Sequence, residues 1–291
     1  MRRSLTIACL MILGSATASA QDYELVASWN VAGGNAIAVD AAGNVFVAGG
    51  TQVLEFGPTG SPLGGFTTAT EIQRIVVAGD GSFYLLATNR DILHYDASGG
   101  LLSTWPGLAE IDRGFAVDAA HNVYVYAFVE GWQIRRVSSA GQGLGEFGAF
   151  YIPQAITVGP DGSIYGTDGE PNYPAVQKFE PVLGTRSGEW GNGFAPREEG
   201  PSADGEFHTP YAISVAGGKV FVVDGGNSRV QVFDETGTFL TKWSTTSVRG
   251  VAADGNGNVY LYGAGKVEKW APAVNTPVRP ATWSQVKARW R

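Results

Sequence analysis

The chain has 291 residues, 41 of them glycine and 14 proline, with 44% hydrophobic and 16% charged residues. That apolar share excludes a disordered chain, and glycine at this level without a collagen period points to many turns between short strands. A formal net charge of −7 gives no basic surface for phosphate backbones, which argues against nucleic acid as a partner.

The first segment, "MRRSLTIACLMILGSATASA", has the form of a secretory signal. Arg2 and Arg3 form the charged start, Leu5 to Leu13 the apolar stretch, and Ala18-Ser19-Ala20 a small-residue cleavage site. The apolar stretch is shorter than the roughly 20 residues that cross a bilayer. The expectation is cleavage after Ala20, a secreted or periplasmic protein and no membrane span. Cys9 is the only cysteine and leaves with the signal, so the mature chain is held by packing without disulfides.

Six copies of one phrase follow. "AIAVDAAGNVFVAGGTQVLEF" starts at Ala36, "RIVVAGDGSFYLLATNRDILHY" at Arg74 and "GFAVDAAHNVYVYAFVEGWQIRRV" at Gly114. "AITVGPDGSIYGTDGEPNYPAVQKF" starts at Ala155, "AISVAGGKVFVVDGGNSRVQVF" at Ala212 and "GVAADGNGNVYLYGAGKVEKW" at Gly250. The first apolar residue after each turn fixes the register: Val45, Phe83, Val123, Ile164, Val220 and Val259, at steps of 38, 40, 41, 56 and 39 residues. A period near forty built from short alternating strands is the mark of a β-propeller. The first turn of each copy uses Gly, Asn and Asp because hairpin turns need positive φ, and His121 occupies one such turn position.

A fourth strand with an aromatic end closes each copy, at Phe66, Trp105, Phe147, Trp190 and Trp243. The sixth copy lacks that ending, and "YELVASW" over residues 23 to 29 supplies it from the other end of the chain. The fold predicted is therefore all-β: a six-bladed propeller of four-stranded antiparallel blades, with the N-terminal strand completing the last blade. Such closure leaves no exposed sheet edge. The predicted organisation is a signal over 1–20, a propeller over 21–270, and a Pro-rich linker with a short basic tail over 271–291.

The fifth copy, "GEFHTPYAISVAGGKVFVVDGGNSRVQVFDETGTFLTKW" over residues 205 to 243, resembles an NHL repeat through Pro210, Asn227-x-Arg229 and "VQVFD". The other copies match more loosely; the first lacks the loop Asn-x-Arg and the fourth carries "GEPNYPA" there. The resemblance implies the fold and leaves function open.

Between the fourth and fifth copies lies "GNGFAPREEGPSADGEF", residues 191 to 207, rich in Gly, Pro and charge. It is a loop, either a solvated excursion or a recognition element. The last 21 residues carry Arg279, Lys287, Arg289 and Arg291 and no acid. Thr282 caps a short predicted helix that either docks on the propeller or serves as an attachment end.

Propeller enzymes exist, and two kinds bear on these residues. Peptide-amidating lyases hold metal with histidines near the channel, but His94, His121 and His208 fall at three different repeat positions. Gluconolactonase-like propellers use carboxylates at the entries of the inner strands. The equivalent ring here is Asn35, Gln73, Arg113, Gln154, Tyr211 and Arg249, without a carboxylate. That ring is poor for calcium. It is either a polar plug bonded across the channel or a receiver of an anionic or polar group, with Arg113 and Arg249 as the strongest donors. The oxygen-rich runs Asp168-x-Glu170-x-Asn172 and Asp254-x-Asn256-x-Asn258 lack the glycine and glutamate of a helical calcium loop. No metal, cofactor or catalytic group is implied.

Loops between second and third strands share a face with the loops entering each blade. That places Arg90, Trp132, Asp168, Tyr173, Asp224, Asn227 and Arg229 on one rim, with Arg229 expected to bond neighbouring backbone. Aromatic loop residues are the types enriched at binding hot spots. The function expected is a non-catalytic scaffold, a monomer, that binds a protein, peptide or glycan through this face. The alternative is a lactonase- or lyase-like hydrolase acting on a small molecule.

Overall fold

A computed structural model describes residues 22–110, 113–191 and 203–273. The expected signal over 1–20, most of the inserted loop and the basic tail beyond Ala273 lie outside the described residues.

The chain builds sheets one after another. It opens on β1 (Tyr23–Asn30). Next come β2 (Ala36–Val39), β3 (Val45–Phe56), β4 (Pro62–Val77), β5 (Phe83–Ala87), β6 (Ile92–Tyr95) and β7 (Leu101–Trp105), paired in chain order as one six-stranded sheet. The second sheet is β8 (Phe115–Val117), β9 (Val123–Phe128), β10 (Trp132–Val137) and β11 (Gly143–Phe150). The third is β12 (Pro153–Val158), β13 (Ile164–Asp168), β14 (Ala175–Phe179) and β15 (Arg186–Trp190). The fourth is β16 (Pro210–Ala216), β17 (Lys219–Asp224), β18 (Arg229–Asp234) and β19 (Phe239–Ser244). The fifth holds β20 (Val248–Ala253), β21 (Val259–Gly263) and β22 (Lys266–Pro272), and β1 lies antiparallel to β22 at its outer edge.

The protein is thus an all-β propeller of five blades, and the expectation of six four-stranded blades is corrected. Six sequence repeats are carried by five sheets because the first two share one. The cause lies in two long strands. The link "TTATE", residues 67 to 71, has no Pro or Gly, and its threonines favour extended backbone, so β4 runs unbroken from one repeat into the next. β3 likewise passes through Gly49, Gly50 and Thr51, and Gly50 pairs with Ile72 across the repeat boundary. In later repeats turns break the chain at these places, as at Pro106-Gly107 after β7.

The register residues Val45, Phe83, Val123, Ile164, Val220 and Val259 are all buried. The core lies between adjoining sheets: Val45 and Val47 pack with Tyr260 and Tyr262, and Tyr84 and Leu86 with Val123 and Val125. Removing such side chains from water, at roughly 25 cal/mol per Å², is what holds this disulfide-free ring.

The aromatic ends of the outer strands make a repeating junction. Each lies under the last hairpin turn of the following repeat: Trp29 under Gly60, Phe66 under Gly99, Trp105 under Gly141, Phe147 under Gly184 and Trp190 under Gly237. Those five glycines all have positive φ. Where the ring closes, no such hairpin joins β22 to β1, and Tyr23 takes the place of the turn, stacking on Trp243.

Candidate functional site

The loop face is stitched together by backbone bonds between the two kinds of loop it contains. Thr88 N–H donates to Glu71 O at 2.9 Å, Gly169 N–H to Ile152 O at 2.8 Å, Gly226 N–H to His208 O at 2.6 Å and Thr245 N–H to Ser228 O at 2.9 Å. Loops held this way present side chains at small ordering cost.

Two of the expected rim carboxylates are consumed in building that face. Asp168, at the end of β13, is buried; it accepts Tyr151 N–H at 2.7 Å, Ile152 N–H at 2.9 Å and Glu170 N–H at 3.1 Å. Asp224, at the end of β17, is fully buried. It accepts His208 N–H at 2.6 Å, Asn227 Nδ2 at 2.7 Å, Arg229 Nε at 2.8 Å and Gln231 Nε2 at 3.2 Å. Arg229 also donates to Ala203 O at 2.9 Å and Glu206 O at 2.7 Å, so it anchors the end of the inserted loop, in line with the structural role expected of it. Neither acid has its oxygens turned to solvent, because each serves backbone N–H groups at the entry of the inner strand of its own sheet.

The aromatic residues are placed differently. Trp132 is half-buried and meets Phe128 edge-on, ring centroids 5.3 Å apart at 76°. Tyr173 is half-buried beside Tyr151, at 6.2 Å and 40°. Phe128 is 60% exposed and Tyr151 69% exposed. The two pairs occupy one sector, since Trp132 pairs in register with Phe150 and Tyr151 follows it. Sequence reasoning missed Phe128 and Tyr151. The available signal was their position at strand ends, where a large ring has no sheet face to cover. Arg90 is exposed, at φ +70, in a turn bonded to Ala87 and Ala109.

Around the channel the ring residues bond sideways. Asn35 Nδ2 donates to Ile72 O at 3.1 Å, Arg113 Nη1 to Pro153 O at 3.4 Å, and the Tyr211 hydroxyl to Val248 O. Each reaches the residue just before the ring position of the next repeat. These side chains therefore tie neighbouring inner strands, and no plug bonded across the axis is built from them. Gln73 offers its carbonyl to Arg74 Nη1 at 2.9 Å, and Gln154 lies against Gly169. Arg249 is exposed at the mouth and makes no hydrogen bond or ion pair with the described residues. A cavity of about 320 Å³ runs down the axis, lined by inner segments of all six repeats, including Asn35, Arg74, Tyr211 and Arg249. A second, of about 380 Å³, opens beside Gly33, Gly34, Asn35, Arg249 and Tyr262.

On the opposite face the turns are built as the sequence implies. Asp254 Oδ1 accepts Asn256 N–H at 2.9 Å and Asn258 N–H at 3.0 Å, so this oxygen-rich run is a turn. His121 has φ +61, in the position that Gly43, Gly81, Gly162 and Gly257 hold in sister repeats. Its Nδ1 lies 2.8 Å from the Tyr84 hydroxyl and its Nε2 3.5 Å from Asp80. His94 stacks on Tyr84 at 4.1 Å and stands 6.1 Å from His121, across the junction between two repeats. Burial, then the neighbouring His121, holds the His94 imidazole below its usual range. Burial, then Asp80 and Asp118, pushes the Tyr84 phenol up to about 12. Two of the three histidines thus meet although they stand at different repeat positions. Among the described residues, no three His, Cys, Asp or Glu side chains are grouped to hold a metal ion.

No family model matches the chain, and no curated protein matches it by sequence. Solved structures do. A streptogramin B lyase is similar at 14% identity and a TM-score of 0.58, over 86% of this chain and 98% of its own. The WD40 β-propeller domain of Doa1 is similar at 11% identity and 0.58, over 82% and 79%. Hydrazine synthase of Kuenenia stuttgartiensis is similar at 12% identity and 0.56, over 87% and 98%. At these identities the likeness is one of fold: the chain is a β-propeller. The described residues contain no helix long and apolar enough to cross a membrane.

Proposed function

We propose that the chain is an exported NHL-type propeller that binds a protein, peptide or glycan through its loop face and catalyses no reaction. The observation that carries this is the aromatic sector, where Phe128 and Tyr151 stand in solvent beside Trp132 and Tyr173. Large rings left uncovered on an otherwise well-packed surface mark contact sites. The NHL assignment is supported by Asn227 and Arg229, both of which close on Asp224 in the best-matching repeat. Export is supported by the signal-like first twenty residues, and places the partner in the periplasm or outside the cell.

The test compares wild type with F128A/Y151A on glycan and peptide arrays and in capture from an envelope fraction. The substitutions touch exposed rings, so folding is retained. Signals lost in the double variant support the reading; an unchanged profile sinks it. Metal analysis with a lactone and ester panel tests the catalytic alternative, and stoichiometric metal with turnover would replace the scaffold.

A further inference from the structure

The loop before the third strand turns left-handed in four repeats, at Arg90, Glu130, Ser228 and Ala264, each with positive φ. The backbone of this tip is therefore shared, and the side chain it carries is what varies. In the third repeat that side chain is Glu130, set between Phe128 and Trp132. Glu130 is exposed and makes no hydrogen bond or ion pair with the described residues. In the fourth repeat Glu170 opens the matching loop, on the way to Tyr173. Its carboxylate accepts Asn172 Nδ2 at 3.2 Å and holds no cation among the described residues.

The bases nearby are already committed. Arg135 gives Nη1 to Glu110 at 3.1 Å and Nε to Glu146 at 2.9 Å, and Glu110 also accepts Phe128 N–H at 2.8 Å. Arg113 is turned to Pro153 O at 3.4 Å. Glu130, Glu170 and the buried Asp168 add to the negative side, so carboxylates outnumber guanidiniums in this sector among the described residues. The rings are also bare of cations. Elsewhere lysines stand over Tyr165, Tyr23 and Tyr260, at 5.3, 5.6 and 5.3 Å, and none of the described residues does so over Phe128, Trp132 or Tyr151. A ring face attracts a cation through its quadrupole, and a carboxylate beside it adds a second attraction.

We propose that the aromatic sector takes an extended peptide segment carrying lysine or arginine, whose apolar parts cover Phe128 and Tyr151 and whose cations meet Glu130 and Glu170. This rests on the sector being the contact site and names the chemistry of what it takes. Phe128 is 60% and Tyr151 69% exposed, so a partner covers them from outside, as a chain does and an enclosed small cation does not. A neutral sugar would gain nothing from the unpaired charges. The rings are held in place beforehand, Phe128 N–H by Glu110 and Tyr151 N–H by Asp168, which keeps the ordering cost small. Buried ring area supplies the affinity, and the carboxylates supply orientation and choice of partner.

The test screens the full chain against an array of short peptides rich in lysine or arginine, the same peptides with glutamine at those positions, and a glycan array. Calorimetry of the best peptide at low and high salt follows. Basic peptides are expected to be retained over their glutamine partners, and to bind less tightly as ionic strength rises. E130Q/E170Q leaves the rings in place and glutamine keeps the acceptor for Asn172, so the thermal midpoint is retained. That variant is expected to weaken the best basic peptide about fivefold, the scale of two rim ion pairs. E24Q/E189Q removes the same charge from exposed positions on outer strands and is expected to bind as wild type does. F128A/Y151A is expected to lose the peptide altogether. Basic and glutamine peptides bound alike, or equal affinity in E130Q/E170Q, overturns the inference, while a loss in F128A/Y151A still supports the contact site. Glycans retained in place of peptides overturn it in the same way. An equal loss in E24Q/E189Q overturns it by showing diffuse attraction to an acidic chain. Binding to neither array overturns the inference and the contact site together.

Discussion

Tyr23 stacks on Trp243, with ring centroids 4.8 Å apart and planes 20° from parallel. These residues lie at the first strand and the nineteenth, and Trp243 also meets Trp270 at 5.5 Å. The pair closes the ring between the fourth and fifth sheets where a hairpin turn does the same work elsewhere. Trp243→Ala is expected to cost about 3 kcal/mol, at the low end for removing a packed tryptophan. In a domain of this size that lowers Tm by roughly 6–12 °C. Calorimetric melting checks it. Removing residues 21 to 30 bares the edge of β22 and should produce concentration-dependent aggregation.

The same tyrosine makes closure sensitive to alkali. Burial, then the charge of Asp254, pushes the Tyr23 phenol up to about 12 from an ordinary 10. A raised value means its stabilising contribution is complete below pH 10 and is lost as pH climbs toward 12. Y23F keeps the stack and has no proton to lose. Urea midpoints measured from pH 9 to 12 should fall less steeply for Y23F than for wild type; parallel curves would remove Tyr23 from the alkaline transition.

The turn glycines can be separated into conformation and contact. Gly81 and Gly99 both have φ +85. A Cβ on Gly81 meets Ala97 at an ordinary 3.5 Å, whereas one on Gly99 would lie 2.7 Å from Phe66. G81A should cost about 1 kcal/mol for left-handed backbone alone. G99A should cost at least about twice that, since the aromatic junction must also move. Equal midpoints in denaturant would show that the junction is loose.

Asp224 and Asp168 predict unequal losses. Asp224 faces a buried guanidinium, and D224A strands it, at a cost of about 3–5 kcal/mol. Asp168 answers only backbone N–H groups, so D168A should cost about 1–3 kcal/mol. D224N should fall between wild type and D224A. Denaturant melts of the three variants give the order directly.

Much of this architecture is legible in the sequence because a propeller repeats its errors and its rules alike. The register residue after each turn, the aromatic at each outer strand and the borrowed first strand are all readable from spacing. The fused first sheet is not, since it depends on the threonine-rich link after Phe66 continuing as strand, and period counting treats every link as a loop. Asp168 and Asp224 end second strands, and which way each carboxylate turns is decided by unsatisfied N–H groups on another segment. His94 and His121 meet across a junction that joins different repeat positions.

Asp22 and Ala273 are hydrogen-bonded neighbours, Ala273 N–H giving to Asp22 O at 2.7 Å, with Tyr23 opposite Pro272. The two ends of the described chain therefore share one edge ribbon, and the order in which the polypeptide is threaded is separable from the shape it takes. A short linker joining them, with new ends cut at an outer hairpin such as the one at Gly141, should yield a rearranged sequence that settles into the same wheel.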